Sequence, residues 1–267
     1  MSKFKKSLKW IAILLVSVVV IAAIAFKLYT KDYYRADNTI ISYVQNLFDS
    51  EVHSYSDENG TVFIPQTKDI SAVIVFYPGG KVEYTAYSSL MYDLASKGCL
   101  CLLPKMPENL AILRVNAADV LTKNYDTQKE MVKNVDWYLA GHSLGGVAAA
   151  SFLSECVAND ETPGEDPFEY KGIILCASFP SVDLSNSDLR LLSIYGSNDG
   201  VLNMEKYEAS KVNWPKDSEE HIIEGGIHSY FGNYGLQDGD GTPSISNEEQ
   251  IIETADTIMD WIGIYQQ

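Results

Sequence analysis

The chain has 267 residues, 46% hydrophobic and 11% aromatic, with 20 Lys+Arg against 36 Asp+Glu and a formal net charge of −16. So many aromatic residues exclude intrinsic disorder, and the length suits one membrane anchor plus one large core-forming domain, with little room for a second catalytic domain. So acidic a chain repels a phosphate backbone, and no nucleic-acid partner is expected.

The charge is unevenly placed. Residues 1–26 carry Lys3, Lys5, Lys6 and Lys9 and no acid, which leaves the remainder at −20. From Trp10 to Phe26 run 17 residues without a charge. As a helix they span about 26 Å, and flanking lysines can snorkel to reach a hydrocarbon thickness of about 30 Å. A cleaved signal peptide is the alternative, since Ala23-Ile24-Ala25 has the form of a cleavage site. The apolar run exceeds the roughly 7–15 residues of a signal h-region, however, so residues 1–27 are read as a single-pass anchor. Four lysines precede the span, and Lys27, Lys31 and Arg35 follow it. That balance keeps the N-terminus in the cytoplasm and puts the domain on the extracytoplasmic side.

Residues 28–49 read as a helical linker, with an apolar rhythm at Ile40, Ile41, Val44, Leu47 and Phe48. Glu58-Asn59-Gly60-Thr61 is a turn signal between strand-like stretches ending at Pro65, which predicts a hairpin. From residue 71 short apolar runs alternate with helix-like segments. Strands are predicted at Ser71–Tyr77, Gly98–Leu103, Asp136–Ala140, Gly172–Ala177, Leu189–Tyr195 and Glu219–Glu224. Helices are predicted at Tyr87–Lys97, Asn109–Leu121, Gly145–Cys156, Met204–Val212 and Glu248–Ile264. The pattern is that of a doubly wound, mostly parallel α/β sheet over residues 50–267. Ligands of such sheets bind at the carboxyl ends of the strands, so the residues there are the ones to search. Cys99, Cys101, Cys156 and Cys176 fall in apolar segments and read as small buried hydrophobes rather than a disulfide framework.

The third of these strands runs into Gly141-His142-Ser143-Leu144-Gly145-Gly146, followed by Val147-Ala148-Ala149-Ala150. This is G-x-S-x-G between a strand and a helix of small residues, the setting of a nucleophilic serine on a strained turn. The helix N-terminus then points its positive end where an oxyanion forms. A serine hydroxyl needs a base, and of four histidines His228 stands in a glycine-rich loop after the last strand, whereas His53, His142 and His221 have poorer positions. Asp199, in Gly196-Ser197-Asn198-Asp199-Gly200, follows the preceding strand and completes the order Ser143…Asp199…His228, with Asp183 in reserve. The oxyanion donors are expected to be the N–H of Leu144 and one from Gly80 or Lys81 in Tyr77-Pro78-Gly79-Gly80-Lys81-Val82-Glu83.

The elbow, the Gly-Ser-Asn-Asp-Gly acid loop and the Gly-Gly-Ile-His loop together resemble the α/β-hydrolase superfamily. Pro-Gly-Gly-Lys-Val-Glu-Tyr and Leu-Pro-Lys-Met-Pro-Glu-Asn-Leu-Ala resemble a bacterial branch near the dienelactone-hydrolase-like proteins. Dienelactone hydrolases proper use a cysteine nucleophile, and position 143 is serine. The resemblance therefore implies a serine hydrolase and leaves its scissile bond open. No P-loop, H-E-x-x-H or strand-linked G-x-G-x-x-G occurs, and no cofactor or metal is expected. Asp238-Gly239-Asp240-Gly241 lacks the spacing of a calcium loop and reads as a turn, and the acidic stretch 159–166 reads as a solvated loop.

The resulting expectation is a membrane-anchored serine hydrolase acting on a carboxylic ester or related acyl bond of a small substrate. Tyr84, Tyr87, Tyr230 and Tyr234 flank the site loops and could line its cleft. The segment from Pro104 to Val135 is too short for an extensive lid. Thioesterase, peptidase and acyltransferase chemistry share the same triad, and a surface-tethered binding protein on a hydrolase scaffold is the rival of another class.

Overall fold

The structure is a computed structural model and describes residues 2–119, 132, 135–158 and 170–263. It divides into two compact units, Met1–Tyr33 and Tyr34–Gln267. The first is a single helix, α1 (Ser2–Lys31). From Leu8 to Lys31 it is long and apolar enough to cross a membrane, and its apolar side chains are exposed.

The second unit opens with α2 (Asn38–Leu47), capped by the Asp37 carboxylate, which accepts from the amides of Thr39 and Ile40. The predicted hairpin follows as β1 (Val52–Ser56) and β2 (Gly60–Pro65), paired antiparallel. Then come β3 (Ala72–Tyr77), α3 (Ser88–Ser96), β4 (Cys99–Pro104), β5 (Asp136–His142), α4 (Leu144–Ala158) and β6 (Tyr170–Cys176). The chain continues through β7 (Arg190–Gly196), α5 (Met204–Ser210), β8 (Asp217–Ile223) and α6 (Asn247–Trp261). A capping box of Ser246 and Glu249 starts α6.

All eight strands form one sheet in the order β1-β2-β4-β3-β5-β6-β7-β8, parallel from β4 to β8. Side chains alternate across it. Ile74 and Phe76 of β3 join α3 and α6 in the core on one face, while Val73, Val75 and Tyr77 join α4 on the other. Burial on both faces explains why these strands read as continuous apolar runs. β8 is an edge strand, and accordingly polar: Asp217, Ser218, Glu219 and Glu220 occupy it, with Asp217 and Glu219 held by Arg190.

The chain steps from β3 outward to β4, then returns to the other side of β3 as β5. Loops leaving β3 and β5 diverge there, and the crevice between them is the switch point at which a doubly wound sheet binds ligands. One predicted element differs. Asn109–Leu121 is no single helix: Pro107–Asn109 and Ala111–Leu113 form separate 3₁₀ turns. Glu108 and Asn109 sit at φ +53° and +55°, which interrupts any helix there. Helical residues resume at 117–119; residues 120–134 other than 132, and the acidic stretch 159–166, lie outside the described residues.

Candidate active site

Ser143 stands between the last residue of β5 and the first of α4, at φ +52°. A non-glycine residue held there stores strain on the order of 1–3 kcal/mol, so the surroundings must impose it. They do so by hydrogen bonds at both ends of the residue. The Ser143 amide donates to the Cys176 carbonyl of β6 (3.0 Å), and the Ser143 carbonyl accepts from Gly146 N–H (3.1 Å) and the Ser178 hydroxyl (2.7 Å). The glycines of the motif answer to close approach. A Cβ on Gly145 would lie 2.2 Å from the Tyr77 carbonyl oxygen, and one on Gly141 would lie 2.6 Å from Gly146 N. The start of α4 can therefore press against the end of β3, leaving Ser143 half-buried at the crevice.

His228 opens a 3₁₀ turn (His228–Phe231) after β8, and Asp199 lies in the loop after β7. Their side chains meet: His228 Nδ1 is 2.9 Å from Asp199 Oδ2, each side chain 2% exposed. The other carboxylate oxygen, Oδ1, accepts the amides of Val201 (2.8 Å) and Leu202 (2.7 Å). An acceptor-only carboxylate fixes the proton on Nδ1 and leaves the lone pair on Nε2. Nε2 is buried and has no hydrogen-bond partner, Ser143 Oγ included. The structure thus brings the predicted acid and base together without a hydrogen bond from base to serine. Such bonds are often long or misaligned in unliganded sites and tighten with substrate bound.

Asp183 is exposed, its carboxylate turned to the Ser185 amide, and joins no histidine. His53 is exposed on β1, and His221 bonds Glu253 on the surface. Of the two candidate amides after β3, Lys81 N–H already donates to the Asn109 carbonyl (2.8 Å). The Gly79 amide donates to the Tyr87 hydroxyl (3.0 Å). Gly80 N–H engages no acceptor among the described residues, and a Cβ on Gly80 would lie 2.8 Å from Leu144 Cδ2, so the two candidate donors are neighbours. Of the four tyrosines, Tyr87 and Tyr234 are buried in the core, while Tyr84 and Tyr230 are half-buried.

Two residues of the site escape the sequence reading. His142 is buried beside the site, its ring 4.6 Å from that of His228. Its Nε2 donates to the His228 carbonyl (3.1 Å) and its Nδ1 accepts from the Tyr87 hydroxyl (2.8 Å), so the ring is neutral. Burial, and then the neighbouring His228, hold its pKa well below the ordinary imidazole value. Burial likewise raises the Tyr87 phenol, which stays a donor. The second is Asp240. Its Oδ1 accepts from the amides of Gly200 (3.2 Å), His228 (3.1 Å) and Gly241 (2.8 Å), and its Oδ2 from the Ser229 amide (2.8 Å) and hydroxyl (2.7 Å). Burial alone would raise this carboxyl; bonds from Ser229, Gly200 and Gly241 outweigh it and hold it below the usual range. Asp240 thereby ties the acid loop to the base loop.

Residues 73–252 match the Alpha/beta hydrolase family. The chain belongs to that family, as its sheet order and strand-end loops accord with, and membership points to hydrolase activity. No curated protein matches the chain.

Proposed function

We propose that the protein is a membrane-anchored serine hydrolase of carboxylic esters or related acyl bonds, with Ser143, His228 and Asp199 as its triad. The observations that carry this reading are the buried Asp199–His228 pair, with the His228 Nε2 lone pair unclaimed, and a serine held at positive φ at the end of β5. Ser143 Oγ attacks the acyl carbon while its proton passes to His228 Nε2. The developing oxyanion is met by the N–H groups of Leu144 and Gly80, since Lys81 N–H is committed to Asn109. Collapse expels the alcohol, which takes the proton from Nε2 and leaves an acyl-serine. A water molecule then gives its proton to Nε2 and attacks the acyl carbon; the acyl–Oγ bond breaks, Ser143 Oγ takes the proton back from Nε2, and the acid leaves. Asp199 holds the imidazole in the required tautomer throughout, and Asp240 fixes the relative position of the two loops.

The motifs after β3 and β4 favour a place near the dienelactone-hydrolase-like branch, with serine replacing its cysteine. On this reading residues 1–27 anchor the chain, 28–49 link it, and 50–267 act outside the cytoplasm. A fluorophosphonate probe should label wild-type protein and neither Ser143→Ala nor His228→Ala. Undiminished labelling or ester turnover in Ser143→Ala refutes the assignment.

A further inference from the structure

Away from Ser143, a groove of about 530 Å³ lies between α2, α3 and α6. That volume is within the roughly 300–1,000 Å³ of small-molecule sites. Its walls are apolar: Ile40, Val44, Leu47 and Phe48 on one side, Ile251 and Ile252 on the other. Of three further lining residues, Ser89 and Asn233 are more than nine-tenths buried and the Asp93 side chain is 12% exposed, and each carries a polar atom without a partner among the described residues. These atoms are Ser89 Oγ, Asp93 Oδ2 and Asn233 Oδ1. Buried polar groups are normally satisfied, so three orphans gathered at one apolar groove point to a missing partner.

The identity of the orphans sets the chemistry of that partner. Asn247 donates through Nδ2 to the carbonyls of Tyr230 (2.9 Å) and Gly232 (3.2 Å), so its Oδ1 faces Asn233 and accepts from Asn233 Nδ2. That leaves Asn233 Oδ1 as a true acceptor. Asp93 Oδ1 is bound to Lys97 (2.7 Å), but Lys97 is shared with Asp256 (2.8 Å), so the three groups retain one negative charge. Among the described residues, Asp93 and Glu248 are the ionisable side chains lining the groove besides the phenol of Tyr43, and no Lys, Arg or His lines it. The positive end of α6 reaches this region, and Glu248 and Glu249 in its first turn offset it.

We propose that this groove binds a small amphiphile with a cationic, hydrogen-bond-donating head and an aliphatic tail, an alkylammonium in chemical class. Because those atoms are closed to solvent as they stand, its N–H donors would satisfy the two acceptors and the hydroxyl as their side chains turn toward the groove, while the tail covers the apolar walls. An anionic head would meet Asp93 and Glu248 with no lining cation to receive it. Burial pushes the Asp93 carboxyl up against the pull of Lys97, and a bound ammonium would offset that burial.

The test uses the full chain in lipid nanodiscs and titrates hexylammonium, with hexanoate as control, by saturation-transfer NMR. Partition into the bilayer is common to wild type and variants, so their difference reads the groove. Hexylammonium should bind saturably and hexanoate at least about tenfold more weakly. Ile252→Lys puts a cation at the mouth, on a residue 45% exposed, and should weaken hexylammonium at least about tenfold. Ser89→Ala should weaken it about threefold. If Ile252→Lys fails to fold, Tyr43→Lys at a position 65% exposed replaces it, with the same expectation. Absence of saturable binding, equal affinity for hexanoate, or unchanged affinity in the folded lysine variant overturns the proposal. No step of the test reads hydrolysis, so it stands or falls apart from the role of Ser143.

Discussion

Asp199→Asn should nearly abolish turnover while leaving the fold in place, because the loop dictates how the new amide must lie. The amides of Val201 and Leu202 both donate to Oδ1, at 2.8 and 2.7 Å, so only an oxygen is tolerated there. The substituted side chain would therefore present its NH2 where Oδ2 now accepts from His228 Nδ1 at 2.9 Å. Two N–H groups cannot face each other, so the imidazole shifts its proton to Nε2. The lone pair that would accept the Ser143 proton is lost. A wrong tautomer of this kind costs about 10⁴ in kcat, equivalent to about 5.4 kcal/mol of transition-state stabilisation. Hydrolysis of a short-chain p-nitrophenyl ester near neutral pH by full-length Asp199→Asn measures the effect, with thermal melting as the folding control. A loss of less than tenfold in a variant that melts normally would show that Asp199 does not set the tautomer.

Asp240→Asn should keep three of the five donors and lose the two from Ser229, loosening the base loop; we expect kcat to fall about tenfold with KM little changed. Steady-state kinetics check this, and a KM effect alone would contradict it. Gly145→Ala forces a methyl to 2.2 Å from the Tyr77 carbonyl, so α4 must withdraw from β3, at a cost of about 3 kcal/mol visible in urea unfolding. His142 gives a pH dependence of defined sign. Its folded pKa is depressed by burial and by His228, so the unfolded chain binds the proton first. The stability it contributes is complete above about pH 6.5 and is lost as pH falls, by up to about 1.4 kcal/mol per pH unit. Urea unfolding between about pH 6.5 and 5 should show this slope reduced in His142→Asn; equal slopes would mean that His142 is not held neutral.

The parts of the candidate site that can be read from sequence are those carried by local motifs. Ser143, Asp199 and His228 each follow a strand in a glycine-bearing loop, and parallel topology brings such loops to one edge whatever their separation in sequence. Asp240 cannot be found that way, because it acts on backbone amides of loops 11 and 40 residues distant, which no side-chain pattern records. The choice between Gly80 and Lys81 turns on the Asn109 carbonyl, which arrives from another loop. His142 escapes notice since alternation along β5 says only that it points away from its neighbour, not that Tyr87 and the His228 turn fill that side. Leu110, Ala111 and Leu113 have helical spacing, but left-handed residues at 108 and 109 break the run into 3₁₀ turns. The central strands β3 and β4 are legible because two-faced burial writes itself as unbroken apolar runs, and the hairpin because of its Glu58-Asn59-Gly60-Thr61 turn signal.

The acidic outer strand has a consequence for encounters between copies of the chain. Copies of a chain meet at high local concentration, and an open sheet margin would invite one copy to zip onto the next. A chain adding to β8 would have to strip hydration from Asp217 and Glu219, whose side chains are 61% and 59% exposed. The same carboxylates that end the sheet therefore oppose strand-to-strand pairing between copies.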